Sequence, residues 1–164
     1  MHIPTLKIKK SKMKTTLAFI ILMISVLATY AQNINPNYND SIAKTLGADE
    51  YGMKKYVLVI LKTGENITAS KEESNAAFSG HMENIGKLVK DGKLIVAGPL
   101  GKNDKMYRGI FILNVQTIDE AKDLVFTDPA IKAKLLSADL YEWYGSAALA
   151  EYLPVSDKIW KIQP

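Results

Sequence analysis

The order of apolar strands and amphipathic helices is the feature that most constrains the fold of this chain. Four segments, 55–64, 93–100, 108–115 and 137–145, are rich in Val, Ile, Leu or aromatic residues, and turn-forming residues separate them from their neighbours. These segments are predicted strands. Helical patterns lie between the first and second strands and between the third and fourth. The predicted order is therefore strand, helix, strand, strand, helix, strand.

Two capping boxes mark where the helices begin. Ser70 precedes Glu73 by three residues, and Thr117 precedes Glu120 at the same spacing, which lets each cap and its glutamate bond each other's backbone N–H. The first helix carries an apolar stripe at helical spacing, made of Phe78, Met82, Ile85 and Val89. With this element order, the chain is predicted to form an α+β domain, a ferredoxin-like βαββαβ sandwich with both helices on one face of the sheet.

Two of the predicted strands are apolar on both sides. Segments 57–61 and 110–113 contain only aliphatic and aromatic residues, whereas strands of an antiparallel sheet with one face in water alternate apolar and polar residues. An uncovered second face would be a large apolar patch, which soluble monomers rarely carry. We therefore expect a homodimer in which two sheets pack face to face.

The first 31 residues have the composition of a secretory signal peptide. Five lysines precede the apolar run 17–28 (LAFIILMISVLA), and Thr29-Tyr30-Ala31 supplies an A-x-A-like cleavage pattern. The run is shorter than the ~20 residues that span a bilayer. We expect a start at Met1 or Met13, cleavage after Ala31, and export to the periplasm or the extracellular space without membrane attachment.

The remaining sequence is expected to comprise an N-terminal lead at 32–54, one domain at 55–145 and a C-terminal tail at 146–164. Removal of the first 31 residues leaves 16 basic and 17 acidic residues, so the net charge of +4 becomes −1. The basic character belongs to the leader, and no nucleic-acid partner is expected. The absence of cysteine excludes disulfides and thiol chemistry.

Few residues of the cleaved chain can perform chemistry. His81 would be its single histidine, which excludes a zinc site built on several His or Cys ligands, and no nucleotide-binding or nucleophile-elbow motif is present. We therefore expect no metal and no cofactor. Haem binding through His81 is conceivable, but nothing else in the sequence requires it. What remains is acid–base chemistry by one imidazole and carboxylates, or ligand binding without catalysis.

Each candidate residue also has an ordinary structural interpretation. His81 lies at the border of the apolar stripe, about 60° from its centre, where a histidine commonly bonds a neighbour. Asp128 suits the N-cap of a helical turn that begins at a proline. Gly98 and Pro99 end a strand, because proline has no N–H for the ladder. Trp143 stands in an aromatic segment whose side chains are more often packing residues than substrate contacts.

In combination, these features resemble the YciI-like (YCII-related) family. The resemblance extends over about residues 55–145 and rests on the helix that carries His81, the segment GKLIVAGPL (92–100), the segment TDPAIKA (127–133) and the closing strand YEWYG (141–145). It implies a small protein of the dimeric α/β-barrel type. It also implies that His81 and Asp128 form the active-site pair.

The resemblance further implies a small-molecule enzyme. Members with assigned chemistry act on small cyclic or aromatic compounds by dehydrohalogenation-type proton abstraction, and a phosphohistidine role has also been proposed. We expect lyase, dehydrohalogenase or isomerase chemistry in which His81 is the general base and Asp128 orients it. Gly98, Pro99 and Trp143 are the expected substrate contacts. The alternative is an exported protein that binds a small ligand without turnover.

Overall fold

The computed structural model describes residues 35–161, so the predicted signal peptide lies outside the described residues. The chain divides after Asn39 into two units, and the helices and strands found among residues 35–161 belong to the second. In chain order these are α1 (Asp40–Leu46), β1 (Met53–Thr63), α2 (Lys71–Lys90), β2 (Leu94–Pro99), β3 (Tyr107–Leu113), α3 (Ile118–Val125), α4 (Pro129–Lys132), β4 (Leu136–Ser146), a 3₁₀ helix (Ala147–Tyr152) and α5 (Leu153–Ser156).

The four strands form one antiparallel sheet in the order β2-β3-β1-β4. Strands β1 and β3 are central, so each strand–helix–strand unit spans a neighbouring strand, as in a ferredoxin-like fold. Val57 and Val59 of β1 share one apolar core with Leu88 of α2 and Val125 of α3, which places both helices on the same face. The predicted α+β, ferredoxin-like architecture is confirmed.

Both predicted capping boxes are present. The Ser70 Oγ accepts from the Glu73 N–H at 3.1 Å, and the Glu73 carboxylate accepts from the Ser70 N–H at 2.8 Å. The hydrogen bonds from Ser70 lower the pKa of Glu73. Thr117 and Glu120 repeat the arrangement at the start of α3. A cap of this kind contributes about 1 kcal/mol, so it helps to fix the register of α2 ahead of His81.

The apolar stripe of α2 packs against the core at its C-terminal end. Leu88 lies in the core, and Ile85 and Val89 pack against it. Phe78 and Met82, by contrast, are 37% and 44% exposed. Phe78 and Met82 are exposed because they line a cavity in the place where the core would otherwise continue.

The sheet face away from the helices is apolar at its centre. Leu58 and Ile60 of β1 pair with Ile112 and Ile110 of β3, and directly paired residues share a face. The alternate residues of β1 lie in the helix-covered core, so these four point the other way. All four are half-buried. We call this surface, made of Leu58, Ile60, Ile110 and Ile112, the open face.

The segment after β4 crosses one end of this side of the sheet. The 3₁₀ helix leads from Ser146 on β4 to Tyr152, whose hydroxyl donates to the carbonyl of Ile95 on β2, the strand at the opposite edge. The Tyr56 hydroxyl donates to the Ser146 carbonyl at 2.8 Å. Burial raises the pKa of both tyrosines. The C-terminal segment is thus fastened to both edges of the sheet.

The residues before β1 are attached to β4 through one carboxylate. Asp49 accepts from the Tyr144 hydroxyl and from the N–H groups of Tyr51 and Met53, at 2.9 and 3.0 Å for the two backbone bonds. The hydrogen bond to Asp49 raises the pKa of Tyr144 to about 12, and the same bond is the main cause that lowers the pKa of Asp49. This contact holds the turn that leads into β1.

Candidate functional site

A cavity of about 480 Å³ lies between α2 and the sheet. Most of its wall is apolar and comes from Leu61, Phe78, Met82, Ile85, Phe111 and Leu136, with the strand backbone at Ala97–Pro99 and Gly109 completing it. Two lining residues carry ionisable side chains, His81 and Arg108. The cavity is therefore a small apolar chamber with an imidazole and a guanidinium in its wall.

His81 and Asp128 form a direct pair. The His81 Nδ1 lies 2.6 Å from the Asp128 Oδ2, and the two side chains are 12% and 1% exposed. The other carboxylate oxygen, Oδ1, accepts from the N–H groups of Ala130 and Ile131 at 2.8 and 3.4 Å. Asp128 is thus the N-cap of α4 and the partner of His81 at once, and this set of bonds compensates for its burial.

The pairing determines which ring nitrogen can act. A carboxylate accepts hydrogen bonds, so the His81 Nδ1 carries the proton and donates it to Asp128. The lone pair of a neutral ring then lies on Nε2, which has no hydrogen-bond partner among residues 35–161. Phe111 stacks on the ring at 5.9 Å and 23°, and Phe78 meets it edge-on at 6.2 Å and 85°. The imidazole is held in one orientation with Nε2 available as a base.

Glycine at position 80 allows the two halves of the pair to meet. A Cβ on Gly80 would lie 2.7 Å from Cγ of Pro129, closer than carbon atoms approach in ordinary contact. Gly80 immediately precedes His81 and Pro129 immediately follows Asp128. A further bond from Thr127 Oγ1 to the Asn84 side chain, at 3.1 Å, joins the same two segments. Close packing of α2 against α4 therefore sets the distance between His81 and Asp128.

The other predicted site residues are divided between two places. Gly98 and Pro99 end β2 and line the cavity beside His81. Trp143 does not line it: it pairs with Tyr56 on the sheet side away from the helices, and the two rings pack at 5.5 Å. The ring lies over Gly145, where a Cβ would overlap it. Strand alternation turns the Trp143 side chain to the other face, so the structure does not bring this predicted substrate contact together with His81 in the cavity.

Sequence reasoning missed two residues that the structure brings to the site. Phe111 was counted only as part of an apolar strand, and stacking on a histidine leaves no signal in a strand pattern. Arg108 was not singled out, although one signal was available, since it is the single arginine among the 21 basic residues of the chain. Both lie on β3 and line the cavity.

The described residues also bear on metal binding and on membranes. Between residues 35 and 161, no group of three or more His, Cys, Asp or Glu side chains is placed to hold a metal ion. Within the same part of the chain, no helix is both long and apolar enough to cross a bilayer.

The fold and the site define a small α+β domain with a histidine–carboxylate pair on the wall of an apolar cavity. The model of the YCII-related domain family matches residues 55–144. The chain belongs to the YCII-related family, as its motifs predicted. The match includes both members of the His81–Asp128 pair.

Two solved structures are similar to part of the chain. One is the 5-chloro-2-hydroxyhydroquinone dehydrochlorinase of Burkholderia phenoliruptrix AC1100 in complex with 2,5-dihydroxybenzoquinone, at 22% identity and a TM-score of 0.39, covering 53% of this chain and 92% of that one. The other is a dimeric protein of unknown function and ferredoxin-like fold from Bacteroides fragilis NCTC 9343, at 16% identity and a TM-score of 0.34, covering 56% and 97%. A comparison with curated proteins gives no match.

Proposed function

We propose that the cavity binds a small cyclic or aromatic compound and that His81 acts on it as a general base. The Nε2 atom takes a proton from the bound compound, and Asp128 stabilises the imidazolium that forms, through its bond to Nδ1. The electron pair of the broken bond to hydrogen then forms a double bond. In a lyase or dehydrohalogenase a leaving group departs from the neighbouring atom with the electron pair of its bond. In an isomerase an existing double bond shifts instead, and its electron pair takes the proton back from His81 at another atom.

The contact between His81 and Asp128 carries this proposal. An aspartate that only caps α4 would use Oδ1 for the backbone N–H groups and would not need a ring nitrogen at 2.6 Å from Oδ2. The pair instead resembles a base and the group that orients it, with the base in the wall of a cavity. The cavity volume lies within the roughly 300–1,000 Å³ of small-molecule sites, and its aromatic walls suit a flat, apolar ring.

The test compares turnover in the protein and in three variants. A panel of hydroxylated and chlorinated ring compounds is incubated with each, and products are followed by mass spectrometry. His81→Gln keeps the size of the side chain and removes the base, so the rate should fall ~10²–10⁴-fold. Asp128→Asn should also slow turnover. Lys87→Gln, on an exposed position of the same helix, is the control and should leave the rate unchanged.

Two results would contradict the enzyme. A rate that survives His81→Gln would remove the proposed base. A ligand that binds in the cavity and is recovered unchanged under all conditions would instead support the alternative, a protein that binds a small molecule without turnover. Mass spectrometry of compounds that copurify with the protein supplies the first ligands to try.

We also propose that two copies associate through the open face. The support is its four half-buried aliphatic side chains, which lie together on the two central strands of the sheet. Covering them removes apolar surface from water, which is favourable at roughly 25 cal/mol per Å². A homodimer covers this surface with an identical one and needs no second kind of chain.

We further propose that the protein acts outside the cytoplasm, in the periplasm or the extracellular space. The basic segment, the apolar run and the cleavage pattern that ends at Ala31 support this location. Its substrate would then be a compound that the cell meets outside the cytoplasm.

A further inference from the structure

Arg108 differs from the other cations of the chain in kind and in surroundings. It is the single arginine among 21 basic residues, and its exposed side chain lines the cavity. Among residues 35–161 it has no ion pair and no side-chain hydrogen bond. Lys62, which neighbours it across the strands, is by contrast paired with Asp139 at 2.7 Å. The guanidinium is therefore available to a ligand.

A β-bulge directs this residue away from the regular strand pattern. Leu61 and Lys62 of β1 pair with Gly109 and Tyr107 of β3, so Arg108 is the extra residue between two consecutive pairs. Bulges re-aim side chains and are frequent beside functional sites. Its carbonyl still accepts from the Leu100 N–H at 2.9 Å, which holds the backbone of Arg108 to the end of β2 beside the cavity.

The preceding turn is built to hold that position. The Asn103 side chain donates to the carbonyls of Gly101 and Tyr107 at 2.9 and 2.8 Å. Its oxygen accepts from the N–H groups of Lys105 and Tyr107, both at 3.1 Å. Four hydrogen bonds from one side chain thus fix the turn that delivers Arg108, and less side-chain and loop entropy is lost when a ligand binds.

The described residues that line the cavity include no carboxylate to balance the positive charge of Arg108. His81 and Arg108 are the ionisable residues in its wall, and both are neutral or positive. The carboxylate of Asp128 lies behind His81, where Nδ1 and two backbone N–H groups already bond it. An anionic group on the ligand would supply the missing negative charge.

We propose that Arg108 binds the carboxylate of a small cyclic or aromatic carboxylic acid and so orients the ring toward Nε2 of His81. A guanidinium presents two parallel N–H groups that match the two oxygens of a carboxylate, which a lysine cannot do. The apolar walls take the ring, and the anion stays near the mouth at the exposed arginine. This inference rests on the proposed function of the cavity and names the class of its substrate.

The experiment uses a matched pair of probes, benzoate and benzamide, which share a ring and a planar head group but differ in charge. Binding of each to the full chain is measured by titration calorimetry or NMR. We expect benzoate to bind roughly 10- to 100-fold more tightly than benzamide, as charge-assisted hydrogen bonds allow. Arg108→Gln should abolish this preference. Lys102→Gln, which removes a neighbouring charge of the same turn, should leave it unchanged.

Equal affinity for the two probes, or a preference for benzoate that survives Arg108→Gln, would overturn the inference. The result for His81→Gln separates this inference from the proposed enzyme. If the preference persists in that variant while no compound is ever turned over, the acid-binding site stands and the enzyme does not. If turnover depends on His81 but acids and their amides react equally well, the enzyme stands and the acid-binding site does not.

Discussion

Replacing Gly80 by alanine should separate His81 from Asp128 without touching either side chain. The new Cβ would lie 2.7 Å from the Pro129 Cγ, and ordinary carbon contacts begin near 3.4 Å. The proline ring is rigid, so α2 and the turn before α4 must move apart by about 0.7 Å. The same displacement would stretch the distance from Nδ1 to Oδ2 from 2.6 to about 3.3 Å, beyond the usual N–H···O range.

The energetic consequence can be isolated with a second glycine of the same helix. Nothing lies within 4 Å of a Cβ built on Gly86, which is exposed, so Gly86→Ala should stabilise the protein by about 0.5–1 kcal/mol through helix propensity alone. Gly80→Ala has the same propensity gain but adds an overpacking cost of about 1–3 kcal/mol. It should therefore be about 1–3 kcal/mol less stable than Gly86→Ala.

Urea unfolding of the two variants measures this difference, and ¹⁵N NMR of the histidine ring reports the pair directly. In the parent protein and in Gly86→Ala, the His81 Nδ1 proton should be protected from exchange by its bond to Asp128. In Gly80→Ala that protection should be lost. A Gly80→Ala variant as stable as Gly86→Ala, with the protected proton retained, would refute the close contact of α2 with Pro129.

Three further outcomes are expected. Ile110→Lys should convert a dimer to a folded monomer in light scattering, whereas Phe111→Lys, whose side chain points into the core, should unfold the domain; a monomeric parent protein would contradict the dimer. Tyr144→Phe should raise the pKa of Asp49 toward its ordinary value in a carboxyl NMR titration. Because the pKa of Asp49 is lowered in the folded protein, Asp49 stabilises the fold at pH values above its ordinary pKa, and this stability is lost as the pH falls through the lowered pKa. The variant should show a smaller contribution of this kind. N-terminal sequencing of the exported form should begin at Gln32, and a retained leader would overturn the export proposal.

The starts of the helices are predictable from the sequence because their signals are local. Ser70 and Asp128 precede helices with side chains that satisfy backbone N–H groups, and such bonds depend on sequence spacing alone. The element order was sufficient for the sheet topology. His81 and Asp128 are 47 residues apart, and family motifs rather than physical spacing brought them together.

The sequence could not predict which face of the sheet some strand residues occupy, or that a cavity interrupts the core. Trp143 and Tyr144 are adjacent aromatic residues of opposite strand parity, and the pairing of Trp143 with Tyr56 on β1 is what shows which face Trp143 takes. Phe78 and Met82 fit a helical stripe equally well whether they pack on a core or line a cavity. A β-bulge sets the face of the sheet on which Arg108 lies. The bulge arises from one extra residue in β3 opposite β1, and the periodicity of the sequence does not indicate it.

The cavity and the open face lie on opposite sides of one sheet, and this separation fixes how a dimer would bind its ligand. Residues of α2 and of the four strands line the cavity. Two copies joined through the open face would carry two complete and distant sites, so titration should give two equivalents per dimer, one binding constant and a Hill coefficient of about 1. A mixed dimer of one parent chain and one His81→Gln chain should keep half of the activity of the parent.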